Sequence, residues 1–150
     1  MKRIFLIITA LLLSVWTASA QKDLEVGAIF DGKVVPRKVM KETFIKSAQL
    51  DPFNLEQYHS VSFTGDDHVL EEVSRRVLAD AEKAADQEIH MNEGRLVYAI
   101  LTFEGANRDN RFVCYQCVSK EDSHAITLVF MHGPATLDDL KKFFKNRTGK

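Results

Sequence analysis

The longest regular pattern in the chain lies at residues 66–90. Val69, Val73, Val77, Ala81 and Ala84 recur at spacings of three and four, and Leu70 and Ala85 widen the stripe. Glu71, Glu72, Arg75, Arg76, Glu82, Lys83 and Asp86 occupy the opposite face. This periodicity predicts a long amphipathic helix. Glu71 with Arg75 and Glu72 with Arg76 are four-residue pairs in the favourable order. Asp66 and Asp67 suit the positive end of the helix, and Gly94 is its expected stop. Glu88 falls near the middle of the apolar stripe, where a carboxylate needs either a basic partner or a frayed helix end.

Elsewhere the period is two. In residues 58–64, Tyr58, Ser60, Ser62 and Thr64 alternate with His59, Val61 and Phe63, which predicts a strand with one wet face. Thr43, Phe44 and Ile45 centre another strand within residues 38–48. Asp51-Pro52 starts a single turn that carries Phe53 and Leu55. Residues 95–103, 111–118 and 125–132 are rich in Val, Ile, Tyr, Phe and Thr, and the connectors between them are short and polar. They read as an antiparallel meander. Thr136 and Asp139 form a capping-box pattern before Leu137, Leu140, Phe143 and Phe144, the apolar face of a short closing helix. Residues 21–36 admit two readings. Asp23 caps a short turn holding Val26, Ile29 and Phe30 and stopped by Gly32, or Asp31-Gly32 closes a hairpin. The short turn is slightly favoured.

Taken together, the pattern predicts an α+β fold in two layers. An antiparallel sheet of about five strands carries one long and one short helix on one face.

Residues 1–20 stand apart from this pattern. Lys2 and Arg3 precede an apolar run from Ile4 to Trp16, and Ala18-Ser19-Ala20 ends it with small residues before Gln21. That order is the layout of a secretory signal peptide, with cleavage expected between Ala20 and Gln21. The run is shorter than the roughly 20 residues of a membrane span. The domain is then residues 21–150, with no transmembrane segment left after cleavage, and the protein is expected in the periplasm, at the cell surface or outside the cell. Over the full 150 residues, 45% hydrophobic and 27% charged residues are ordinary for a globular protein. The formal charge is -1; without Lys2 and Arg3, the 20 Lys and Arg fall to 18 against 21 Asp and Glu, a net charge of -3. Nucleic acid is therefore not an expected partner.

Candidate chemistry is sparse. Cys114-Tyr115-Gln116-Cys117 is the one spacing with a named chemistry, since a C-x-x-C pair at a helix start shuttles electrons. Here the flanks Phe112, Val113 and Val118 predict a strand, in which residues three apart lie about 10 Å apart and point to opposite faces. Two thiols so placed do not reach bonding distance. Two cysteines are also half of a structural zinc site, and none of His59, His68, His90, His124 and His132 lies four residues from another. His59 and His132 read as structural histidines facing the sheet interior or the helix layer. No G-x-S-x-G and no glycine-rich phosphate loop occurs. Lys141, Lys142, Lys145, Arg147 and Lys150 suit the C-terminal end of the last helix, or an anionic lipid surface. Asn146-Arg147-Thr148 matches a glycosylation acceptor.

Asp23-Leu24-Glu25-Val26-Gly27, Phe30-Asp31-Gly32, Val34-Val35-Pro36 and the run Tyr58-His59-Ser60-Val61-Ser62-Phe63 follow in an order, joined by Cys114-Tyr115 and Met131-His132-Gly133. This order resembles an uncharacterised family, a domain of unknown function, of small exported proteins from gut anaerobic bacteria. The resemblance implies bacterial export and a compact α+β domain, and it carries no catalytic residue. The expected function is a non-enzymatic binding or interaction domain for a protein or small ligand, with no cofactor. The alternative is a thiol-dependent redox or metal-handling protein that uses Cys114 and Cys117. Mass spectrometry of the exported product is expected to show a chain beginning at Gln21; a membrane-held product retaining residues 1–20 would contradict the signal-peptide reading.

Overall fold

A computed structural model describes residues 23–147 other than residue 47. The expected leader, its Ala20–Gln21 junction, Thr148 of the glycosylation pattern and Lys150 lie outside the described residues. The chain opens with a helical turn, α1 (Gly27–Phe30), and Gly32 at φ 79° follows it. Of the two readings of this stretch, the short turn is the one that forms, but Asp23 does not cap it: Val26 holds the cap position and the Asp23 carboxylate accepts from Arg111 at 2.7 Å. Strand β1 (Lys41–Ile45), a 3-10 turn (Ala48–Phe53) and strand β2 (Gln57–Gly65) come next. The long helix α2 spans Asp67–Ala81. Asp66 caps it, its side chain accepting the backbone N–H of Val69 at 3.0 Å. Strands β3 (Asp86–Asn92), β4 (Arg95–Phe103), β5 (Asn110–Lys120) and β6 (Ser123–Gly133) lead to the closing helix α3 (Leu137–Arg147).

All six strands form one sheet in the order β1-β2-β6-β5-β4-β3, and every neighbouring pair is antiparallel. The expected meander over β4, β5 and β6 is present. The sheet has six strands rather than five because the long helix ends at Ala81, nine residues before the expected end at His90. Its apolar stripe stops there in effect: beyond Ala81 only the small Ala84 and Ala85 continue it. Glu93 and Gly94, both at positive φ, make a two-residue turn whose twist suits a hairpin. That turn folds residues 86–92 back onto β4 as an edge strand, beginning with the Ala85 N–H bonded to the Thr102 carbonyl at 2.8 Å. All of β3 is exposed, and its register slips between His90 and Met91. Burial therefore leaves no mark on its sequence. Glu88 accordingly lies on the open edge strand, 3.8 Å from Lys141, and not within an apolar stripe.

The helices lie on opposite faces of the sheet, which gives three layers where two were expected. On one face Val73 and Val77 of α2 join Leu24, Val26, Ile29 and Phe30 of the N-terminal segment. They pack on Val61, Leu101, Val113, Tyr115, Ile126, Leu128 and Phe130. On the other, Leu140 and Phe143 of α3 join Leu50 and Leu55 over Tyr58, Ile100, Phe112, Val129 and Met131. Phe143 and Phe144 thus belong to a different core from Val73 and Val77. The cause is in β5 and β6, whose runs Phe112-Val113-Cys114-Tyr115 and Leu128-Val129-Phe130-Met131 are buried without alternation. Strands that read as near-continuous apolar runs require cover on both sides.

Each cover is fixed by polar contacts. Asp80, fully buried on α2, accepts the backbone N–H groups of Glu25 and Val26 at 2.8 and 2.9 Å. Burial raises the carboxyl's pKa and these two donors oppose the rise. On the other face the capping box closes as expected. The Thr136 N–H donates to Asp139 Oδ2 at 2.9 Å and the Asp139 N–H to Thr136 Oγ1 at 3.3 Å. Phe143 then sits against Phe53, Tyr58 and Phe144 with ring centroids 5.0 to 5.6 Å apart.

Urea melts should separate these contributions. Asp80→Ala removes the acceptor of two N–H groups, that of Val26 buried, and is expected to cost about 2–4 kcal/mol. Phe143→Ala empties the second core and is expected to cost about 3–5 kcal/mol. Glu71→Ala, on the solvent side of α2, should stay within about 0.5 kcal/mol. Equal losses in all three would contradict the two-core arrangement.

Candidate binding groove and polar clusters

Helix α3 covers only part of its sheet face. Strand pairing places Tyr58, Met131 and Phe112 in one row across that face. The next row is Ser60, Val129, Cys114, Ile100 and Glu88, and the one beyond it is Ser62, Thr127, Gln116, Tyr98 and His90. The first row lies under α3, and the last is open. Between them runs a groove of about 440 Å³. Ile100, Cys114 and Val129 floor it, and Tyr58, Tyr98 and Phe144 wall it. Gln116 and Thr127 supply polar groups at its open end. An apolar concavity with a few convergent polar groups is the usual form of a small-ligand site. Tyr98 is 38% exposed. Partial burial, with Cys114 and Glu88 nearby, raises the pKa of its hydroxyl, which stays a hydrogen-bond donor.

The two cysteines sit on opposite faces of β5 and are free. Cys114 lies in the floor of the groove with the second core, and Cys117 packs into the first core under α2. Burial pushes the Cys114 thiol up to about 12, so it is held in the protonated, weakly nucleophilic form. Cys117 Sγ lies 3.6 Å from Ser119 Oγ. Among the described residues, no group of three metal-ligating side chains includes either cysteine.

Histidines carry the polar geometry that no local motif announced. His124 is fully buried. Its Nδ1 is 2.7 Å from Ser119 Oγ and its Nε2 2.6 Å from Asp67 Oδ1. Ser119 and His124 face each other across the β5–β6 hairpin, and Asp67 is the first residue of α2. The only sequence signal was the five-residue spacing of Ser119 and His124 across a turn; Asp67 lies 57 residues away. This chain of contacts ties the hairpin tip to the helix start. His59, on the α2 face of β2, is 2.8 Å from Glu42, tilted against the ring of Phe30 and edge-on to that of Phe44. His132, near the end of β6, stands between Glu56 and Asp109. His68 and His90 are exposed. A larger hollow of about 610 Å³ lies between α2 and the β3–β4 turn, rimmed by Asp67, Glu71, Arg75 and Arg95. Of these, Asp67 pairs with Arg95 at 3.8 Å and Arg75 with Glu72 at 2.7 Å.

The hydrogen bond from His124, aided by the charge of Arg95, holds the Asp67 carboxyl below its ordinary value of 3.8 against some desolvation. A carboxyl depressed in the folded state contributes stability above its unfolded pKa and loses it as the pH falls through the folded one. Asp67→Asn should therefore lower the melting temperature at pH 7, and the gap from wild type should close as the pH drops below about 4. A gap that is constant between pH 7 and pH 3 would show that the carboxylate charge is not what matters.

A comparison with curated proteins finds no match. The model of a family of unknown function, DUF6108, matches residues 13–144, a span that runs from before α1 into α3 and takes in the whole sheet and the groove. The chain therefore belongs to DUF6108, a family of unknown function.

Proposed function

We propose that the protein is an exported, non-enzymatic binding domain whose ligand site is the groove beside α3. The observation that supports this most directly is the groove itself: an apolar floor, three aromatic walls and a polar end, left open by a helix that covers only part of its sheet face. Among the described residues, no charged side chain lines it. The fitting ligand is therefore a small uncharged molecule with a flat apolar body for Tyr58, Tyr98 and Phe144. Its hydrogen-bonding end would meet Gln116 and Thr127. Export is supported by the charged start, apolar run and small-residue end of residues 1–20. The thiol-based alternative has less behind it, because Cys114 and Cys117 occupy separate cores and burial holds Cys114 protonated.

A cavity of this volume takes about twenty non-hydrogen atoms. At about -0.3 kcal/mol per atom, that gives a dissociation constant of about tens of micromolar. The test uses the neutral dye N-phenyl-1-naphthylamine, whose fluorescence rises in apolar surroundings. One saturable site is expected. Tyr98→Ala should weaken it about tenfold, and Gln116→Trp, which fills the open end, should abolish it. Arg75→Ala, on the far side of the sheet, should leave it unchanged. Absence of saturable binding, or equal binding by all variants, would refute the groove as a ligand site.

A further inference from the structure

The ends of three adjacent strands bring together a second set of groups, unconnected with the groove. In the sheet order β6 lies between β2 and β5. His132 pairs with Gln57 on one side and Arg111 on the other. Glu56 stands one residue before β2 begins, and Asp109 one residue before β5 begins. Strand pairing therefore delivers a carboxylate to each side of the same imidazole. Glu56 Oε2 is 3.6 Å from His132 Nδ1, and Asp109 Oδ1 contacts Nε2. One ligand atom from each of the three residues falls within 4.8 Å of the others.

The frame beneath them is closely set. The Glu56 N–H donates to the His132 carbonyl at 2.8 Å. Gly133, at φ 152°, lets the 54–56 segment approach so closely that a Cβ there would meet Asn54 O at 2.7 Å and Glu56 N at 2.9 Å. The Asp109 N–H is held by the Ala106 carbonyl at 3.1 Å.

Each imidazole nitrogen faces a carboxylate oxygen, so the strand ends gather two acidic groups around one ring. Among the described residues, neither Glu56 nor Asp109 pairs with a Lys or Arg. The nearby Arg111 is turned to Asp23 at 2.7 Å and lies over the Phe103 ring. The two carboxylate charges are those that one divalent cation would balance. From these observations we propose that Glu56, Asp109 and His132 form a binding site for a divalent transition-metal ion. Each carboxylate gives one oxygen and the imidazole gives one nitrogen, and water fills the other positions on the exposed side. The imidazole favours zinc-like cations over magnesium and calcium, whose preferred ligands are oxygen alone. At zinc distances of about 2.0–2.2 Å, tetrahedral ligands lie about 3.4 Å apart, close to the Glu56–His132 spacing. The imidazole would bind through one nitrogen, and the exposed carboxylate that now faces the other nitrogen would turn to the metal's side. Binding would clip the starts of β2 and β5 to the end of β6.

The test titrates Zn²⁺ into the protein purified from its host and stripped with EDTA. One equivalent should bind with a dissociation constant of about 10 µM or tighter and raise the melting temperature. Ca²⁺ and Mg²⁺ should bind at least tenfold more weakly. Asp109→Asn and His132→Ala should each weaken zinc binding at least tenfold, and Glu56→Gln severalfold. If His132→Ala fails to fold, the two exposed carboxylate-to-amide variants carry the result. A Cys114→Ser/Cys117→Ser double variant should bind zinc as wild type does, and bound Co²⁺ should show no thiolate charge-transfer band. No saturable zinc binding, a preference for Ca²⁺, affinity unmoved by both amide variants, or affinity lost with the cysteines would each overturn the site.

Discussion

Strands β5 and β6 impose the constraint from which the rest of the architecture follows. They pair over eleven residues, and their central runs are apolar on both faces. Leaving either face bare would expose a patch far larger than soluble proteins tolerate. One cover is assembled from α2 and the N-terminal segment, the other from the 3-10 turn Ala48–Phe53 and α3. Each cover buries its apolar residues against that pair of strands. Within the first cover, Asp80 of α2 accepts the Glu25 and Val26 amides and so holds the N-terminal segment to the helix.

Unequal cover is what opens the groove. Helix α2 runs fifteen residues and, with the N-terminal segment, closes its face; α3 runs eleven and leaves the Ser62, Thr127, Gln116 and Tyr98 row uncovered. The residue types follow this division. Under α3 the sheet carries Tyr58, Met131 and Phe112, and beyond it carries hydroxyls and an amide. The aromatic walls stand at the boundary between the two, where a ring presents an apolar face and a polar edge at low entropic cost.

Much of this was legible in the chain, for reasons that differ from element to element. The start of α2, the capping box of α3, the meander and the placing of Cys114 and Cys117 within an extended run depend on neighbours a few residues apart. Local pattern carries them. The end of α2 was misread because Ala84 and Ala85 continue a helical stripe at no steric cost, while β3 is fully exposed and has no burial pattern to compete with it. The two-layer expectation failed because alternation within one strand does not say which helix covers which face. The unbroken runs in β5 and β6 held that information, and only when taken together. Of the histidine clusters, only the Ser119–His124 spacing across a turn left a local trace. Asp67 meets His124, and Glu56 and Asp109 meet His132, through strand register that no local spacing encodes.

The exposed edge formed by β3 bears on how the molecule coexists with copies of itself. An open edge offers unpaired amides and carbonyls to any passing strand, and sheets of this kind polymerise when nothing interrupts the offer. Here Asp86 and Glu88 place negative charge along that edge, and the register slip at His90 and Met91 bends its hydrogen-bonding line. At the far edge, β1 is only five residues long and carries Lys41 and Glu42. The sheet therefore ends at six strands by obstruction at both margins, and a substitution that straightened β3 or neutralised its charges would trade a bounded particle for one able to grow.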